Sequence, residues 1–120
     1  MRTRILLADD DRLMLASISN LLQVDFDVVC AVSDGQALIE AALKWKPDII
    51  VTDISMPKLN GIAAACKIRE SLPGIKFVFL TMHNDPWYRM KALRVATAYV
   101  LKSSAREELS QAIRDAIETT

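Results

Sequence analysis

Five short apolar runs, rich in β-branched and aromatic residues, alternate along the chain with longer stretches of helical period. No other feature restricts the fold so tightly. The runs cover residues 5–8, 28–32, 49–52, 77–81 and 99–101. Most are continuous and apolar throughout, as expected of parallel strands covered on both faces. Between them, Met14, Ile18, Leu21 and Leu22 form a stripe at helical spacing, and Leu38, Ala41, Ala42 and Trp45 repeat it. Ile62, Ala65, Cys66 and Arg69 do so less cleanly, and Leu109, Ile113, Ala116 and Ile117 close the series. The alternation implies one α/β domain over residues 1–120: a doubly wound, five-stranded parallel sheet with right-handed crossovers and helices on both faces.

Punctuation agrees. Lys46-Pro47 and Leu72-Pro73-Gly74 close the second and third helices. Asn84-Asp85-Pro86 opens the fourth, with proline just inside its start. Ser103 or Ser104 is placed to cap the fifth. Fifteen Lys and Arg balance fifteen Asp and Glu, so net charge gives no argument for nucleic acid or an anionic membrane as a partner. No apolar run approaches a membrane span and the first residues lack a signal peptide's apolar region. Cys30 and Cys66 have no metal-ligand spacing and read as reduced, mostly buried thiols. The expectation is a cytoplasmic protein.

In a sheet of this kind ligands bind beyond the carboxyl ends of the strands. Asp9, Asp10 and Asp11 follow the first run, Asp53 the third, Thr81 ends the fourth, and Lys102 follows the fifth. Adjacent carboxylates repel and raise one another's pKa unless a cation or backbone N–H groups compensate. One aspartate would suffice to cap the first helix; three exceed that role. Two or three carboxylates suit a hard divalent cation such as Mg²⁺. A carboxylate is also a competent nucleophile toward phosphorus, and a lysine and a hydroxyl nearby suit the remaining phosphoryl oxygens.

Together, I-L-L-A-D-D-D, K-P-D-I-I-V-T-D-I-S-M-P-K-L-N-G, T-M-H-N-D-P and Y-V-L-K resemble the receiver domain of two-component response regulators across essentially all of the chain. The resemblance implies a strand order of 2-1-3-4-5 and assigns roles. Asp53 is then the phosphoacceptor, taking a phosphoryl group from a phosphohistidine on a sensor histidine kinase. Asp9 and Asp10 hold Mg²⁺ with Asp53, Asp10 more directly, and Ser55 offers its backbone carbonyl to the ion. Thr81 and Lys102 contact the phosphoryl group, and Tyr99 is the switch aromatic that turns inward when Thr81 moves. Asp11 is left to cap the first helix. T-M-H-N-D-P and the segment after Lys102 look most like receivers of the NarL/FixJ type, which carry a LuxR-type helix-turn-helix output. Any DNA contact is then expected from an output domain beyond Thr120.

The chain departs from the family pattern in places. Val95 and Ala98 stand where glycines are usual, so the loop is expected to take another path or to lengthen the fourth helix. Ser103 follows Lys102 where proline is frequent. Met82 is bulky enough to narrow access to Asp53, and His83 reads first as an exposed loop histidine beside the site, with tuning of water access to Asp53 as the alternative. Trp87 and Tyr88 are adjacent on one helix, so at least one is expected at the surface. That makes the face of the fourth helix, fifth strand and fifth helix a candidate for homodimer or partner contacts. Trp45 is expected to pack on the sheet.

The expected function is therefore a phosphorylation-driven switch with minimal catalysis of its own. A small phosphatase is an alternative, since Asp9 and Asp11 have the D-x-D spacing of aspartate nucleophiles; Arg12-Leu13 follows it instead of the expected Thr or Val. A flavin module is disfavoured because its phosphate loop needs glycines and hydroxyls where this chain has carboxylates. A receiver that works without phosphorylation is the third alternative, for which Met82, Val95 and Ala98 speak.

Overall fold

The structure is a computed structural model that describes residues 2–82 and 84–118. Strands β1 (Arg4–Ala8), β2 (Asp27–Val32), β3 (Ile49–Thr52), β4 (Lys76–Thr81) and β5 (Ala98–Leu101) alternate with helices α1 (Arg12–Gln23), α2 (Gly35–Trp45), α3 (Gly61–Ser71), α4 (Pro86–Ala92) and α5 (Ala105–Glu118). All strand pairs are parallel, in the order β2-β1-β3-β4-β5. The doubly wound architecture and strand order read from the sequence are those observed.

Side chains of a strand alternate between the two faces of a sheet, and here each face has its own apolar layer. Ile5, Leu7, Ile49, Val51, Val78 and Leu80 meet α1 and α5 through Ile18, Leu22, Leu109 and Ile113. Leu6, Ala8, Ile50, Phe77 and Phe79 meet α2, α3 and the end of α4 through Leu38, Ala42, Ala64, Ile68 and Ala92. This two-sided burial is why the strands read as continuous apolar runs.

Most helix starts are fixed by one short side chain. Asp11 accepts from the Leu13 and Met14 N–H groups, Asp34 from Ala37, Asn60 from Ala63 and Asp85 from Trp87. The capping role read for Asp11 is thus observed. Two helix ends are held from β1 or the residues just before it. Arg4 donates to the Trp45 and Lys46 carbonyls at the end of α2, and Arg2 to the Gln23 and Phe26 carbonyls after α1. At the fifth helix the expectation differs from the structure. A 3₁₀ turn over Lys102–Ser104 leads into α5, so Ser103 and Ser104 lie inside the turn.

Other expectations are corrected. The buried stripe of α3 is Gly61, Ala64, Ala65 and Ile68, and Cys66 is exposed rather than buried. Small residues let α3 approach the sheet, which moves the stripe off the larger side chains. Trp45 is exposed, with the Lys44 ammonium 5.5 Å from its ring centroid. Val95 and Ala98 avoid positive φ, as expected of residues with a Cβ, but the loop does not lengthen α4: the helix ends at Ala92, a turn follows, and Ala98 opens β5. Among the described residues no helix is long and apolar enough to cross a membrane.

Two glycines are required by close approach. A Cβ on Gly61 would lie 2.0 Å from the Asp53 carbonyl oxygen, and one on Gly35 would lie 1.9 Å from that of Leu59. The loop from Asp53 to Asn60 is thus clamped between the starts of α2 and α3, with Gly61 N–H donating to the Ile54 carbonyl at 2.7 Å. At Gly74, by contrast, a Cβ would meet nothing within 4 Å. Gly61→Ala and Gly35→Ala are each expected to cost about 2–3 kcal/mol of unfolding free energy, and Gly74→Ala to change it by less than about 0.5 kcal/mol. Urea unfolding checks this, and equal effects at all three positions would contradict it.

Candidate functional site

The sheet order reverses between β1 and β3, and the crevice beyond their carboxyl ends is where open α/β sheets bind ligands. Asp9 and Asp53 stand on either side of it. Their backbones continue the ladder: Asp53 N–H donates to the Ala8 carbonyl at 3.0 Å and Asp9 N–H to the Val32 carbonyl at 3.1 Å. Strand pairing therefore sets both carboxylates before any side-chain contact forms.

Both are nearly inaccessible, Asp9 at 3% and Asp53 at 5% exposure, and Asp10 is exposed beside them. One carboxylate oxygen of each of Asp9, Asp10 and Asp53 lies within 4.8 Å of the others. Lys102 reaches in from the end of β5. Its Nζ lies 2.8 Å from Asp9 Oδ2 and 2.9 Å from Asp53 Oδ2, with its side chain 7% exposed. The second oxygens are served by backbone donors: Asp53 Oδ1 accepts from Ile54 N–H at 2.7 Å, and Asp9 Oδ1 from Asp11 N–H at 2.9 Å. Lys102 is therefore the inner cation of the site and no ordinary surface lysine.

Burial raises the Asp9 pKa above the ordinary aspartate value, against the opposing pull of Lys102 and the Asp11 N–H. Burial also works against the Lys102 ammonium. The hydrogen bonds and charges of Asp9 and Asp53 outweigh it, and the Lys102 pKa lies above the ordinary lysine value.

Thr81 is fully buried at the end of β4. With Lys102, Met14, Met82, Asn84, Leu101 and Ser103 it lines a hollow of about 480 Å³ next to the carboxylates. Met82 stands 80% exposed and lines that hollow together with Thr81 and Lys102. Ser55 is exposed in the β3–α3 loop, at a groove shared with Asn60, Trp87, Tyr88 and Lys91. Tyr99 is half-buried on β5, and burial raises its pKa. Of the pair on α4, Trp87 is exposed and Tyr88 half-buried, their rings edge to face at 5.0 Å. His83 lies outside the described residues.

Some parts of the site gave little or no sequence signal. Gly61 and Gly35 shape the Asp53 loop, and the available hint was a glycine at a first helical position, where better helix formers are usual. The Ile54 and Asp11 N–H donors are backbone groups, which residue types do not announce. Arg89, whose guanidinium lies 5.8 Å from the Tyr99 ring centroid, had no signal beyond its place on α4.

Sheet order and an acidic cluster at the switch point, joined by a buried lysine, define a doubly wound α/β domain with a charged site at its strand ends. Comparison with known proteins makes the family specific: residues 5–114 match the response regulator receiver domain, and the chain belongs to that family. It is 36% identical over 115 residues to the oxygen regulatory protein NreC of Staphylococcus haemolyticus, an alignment covering 92% of this chain and 53% of that protein. It is 31% identical over 116 residues to the transcriptional regulatory protein DegU of Brevibacillus brevis, covering 94% of this chain and 49% of DegU. The chain thus spans about half the length of these curated relatives. A crystal structure of a LuxR-family DNA-binding response regulator from Staphylococcus aureus superposes with a TM-score of 0.91 at 26% identity, covering 97% of this chain and 99% of that one.

Removing Lys102 leaves Asp9 and Asp53 buried together without their cation. Lys102→Met is expected to cost about 3 kcal/mol in urea unfolding, and adding Asp9→Asn to restore part of it. The raised Lys102 pKa adds stability that is full below the ordinary lysine value of 10.5 and is lost as pH rises through the higher folded value. The unaltered protein should therefore lose more stability above pH 10.5 than Lys102→Met does; parallel alkaline profiles would contradict this.

Proposed function

We propose that this receiver domain takes a phosphoryl group onto Asp53 from a phosphohistidine of a sensor histidine kinase, in a Mg²⁺-dependent reaction, and changes conformation in response. The observation that supports the reading most strongly is the Lys102 ammonium bonded to both Asp9 and Asp53 in a water-poor crevice. There a carboxylate oxygen, a cation and further acceptor oxygens stand together. In the transfer, an Asp53 carboxylate oxygen attacks phosphorus and the phosphorus–nitrogen bond of the donor breaks. The electron pair stays on the imidazole, and the product is an acyl phosphate. Lys102 then exchanges an Asp53 oxygen for a phosphoryl oxygen, and the Thr81 hydroxyl takes another.

The metal set is consistent with a hard cation. All three side-chain donors are carboxylates, and their oxygens already lie within 4.8 Å of one another. Asp9, Asp10 and Asp53 would hold Mg²⁺ with the backbone carbonyl of Ser55. When bound, the ion supplies charge neutralisation for the transferring phosphoryl group. Asp9, buried and paired to Lys102, orients the site, and exposed Asp10 offers the more accessible ligand. Modification of Asp53 adds charge to the rim; Thr81 is drawn toward it and Tyr99 follows. The proposed readout is the face of α4, β5 and α5, with exposed Met90 and Leu93 near it to suit a partner or a second copy, whereas exposed Trp87 lines the groove toward α3. The controlled output is transcription, through a DNA-binding domain outside this chain, as the names of its relatives suggest.

Incubation with acetyl phosphate, with and without Mg²⁺, followed by mapping of the acyl phosphate tests the assignment. The expected result is Mg²⁺-dependent modification at Asp53, abolished in Asp53→Asn and reduced at least about tenfold in Asp10→Asn. Modification at Asp9 would transfer the chain's chemistry to an aspartate-nucleophile phosphatase. Lack of modification under both conditions would favour a receiver that acts without phosphorylation.

A further inference from the structure

Helix α4 is the least anchored helix of the domain. It fully buries only Ala92 and half-buries Tyr88, while Trp87 is 51% and Met90 56% exposed. Elements with so few buried apolar contacts shift at low free-energy cost. Besides the packing of Ala92 and Tyr88, a cation–π contact joins this helix to β5. The Arg89 guanidinium lies over the Tyr99 ring at 5.8 Å from its centroid, within the range in which a ring face attracts a cation. Trp87, at the groove toward α3, has a separate cation in the Lys91 ammonium at 4.1 Å. Tyr99 itself packs against the apolar layer beneath α2, α3 and α4. Of the charges that act on it, Arg89 and Asp85 belong to α4 or its cap, and Asp53 to the rim.

We infer that Arg89 is a latch: its contact with Tyr99 holds α4 against β5 in the resting state, and switching must break it. The inference rests on the reading of Tyr99 as the side chain that moves. Arg89 is exposed and cannot follow the ring inward without burying an unpaired charge, which is costly. The contact is therefore available only while Tyr99 is in its present position. A contact present in one state alone biases the equilibrium by its own interaction energy and no more. Arg89 touches neither Asp53 nor a phosphoryl group bound there, so it is a positioning residue. It links the state of the rim to the exposed apolar surface of α4.

The test uses beryllofluoride with Mg²⁺ as a phosphoryl mimic on the whole chain. Tyr88→Phe leaves Tyr99 as the single tyrosine, which is labelled as 3-fluorotyrosine and followed by fluorine NMR. Loss of an exposed cation–π contact should tighten beryllofluoride binding in Arg89→Ala by about two- to fivefold, with the resting Tyr99 resonance already moved toward its bound position. Arg89→Lys, which keeps the charge, should fall between the two. Unchanged or weaker binding in Arg89→Ala, with a Tyr99 resonance that still moves on beryllofluoride addition, would overturn the latch and leave the switch reading intact. A Tyr99 resonance that does not move in the Tyr88→Phe protein would overturn the switch reading itself, and the latch with it.

Discussion

The ion triad of Asp9, Lys102 and Asp53 is the contact on which the rest of the site depends. Two carboxylates buried a few ångströms apart are a liability in a medium that solvates charge poorly. One ammonium at 2.8 and 2.9 Å answers both. It can do so because β1, β3 and β5 end on the same rim, with the strand-order reversal leaving a crevice between the first two. One positive charge does not neutralise two buried carboxylates and Asp10. The cluster remains short of cations, a deficit that a divalent ion would answer and that would have to be answered before an anionic phosphoryl group could approach.

The domain divides into a rigid scaffold and one loosely held helix, α4. β1, β3 and β4 are buried on both faces, and α1, α2, α3 and α5 each lay an apolar stripe onto the sheet. Around Asp53 the backbone is further constrained by Gly61 and Gly35, which admit carbonyl oxygens where a methyl group would stand. α4, seven residues long with one fully buried side chain, has no such anchorage. Under the proposed function, a charge added at the rigid rim is answered by movement on the α4 side of the molecule, where the fewest buried contacts are lost. Tyr99 and Arg89 lie on that boundary.

The fold was legible because it is written in periodicity. Buried parallel strands must be apolar on both faces, and helices that cover them must repeat at 3.6 residues; both patterns survive in a single sequence. The carboxylates and Lys102 were legible because strand ends in such a sheet converge, whatever their separation along the chain. Legibility failed where packing depends on distance and not on residue type. Trp45 follows Leu38, Ala41 and Ala42 at helical spacing but is the last residue of α2, and it is exposed where they are buried. Cys66 adjoins the buried Ala65, yet the stripe of α3 is set by Gly61 and Ala64, which let the helix come close. The donors to Asp53 and Asp9 from backbone N–H groups leave no mark in residue identity at all.

Asp9, Asp10 and Asp53 form one charge cluster, balanced in part by Lys102, and the proposed Mg²⁺ site would complete it. The most direct measurement is the thermal midpoint as Mg²⁺ is titrated at constant ionic strength, for the unaltered chain, Asp10→Asn and Asp53→Asn. A specific site predicts a midpoint that rises with the logarithm of Mg²⁺ above its dissociation constant in the unaltered chain. The rise should be strongly reduced in both variants. The same rise in all three proteins, or none in the unaltered chain, would contradict the account.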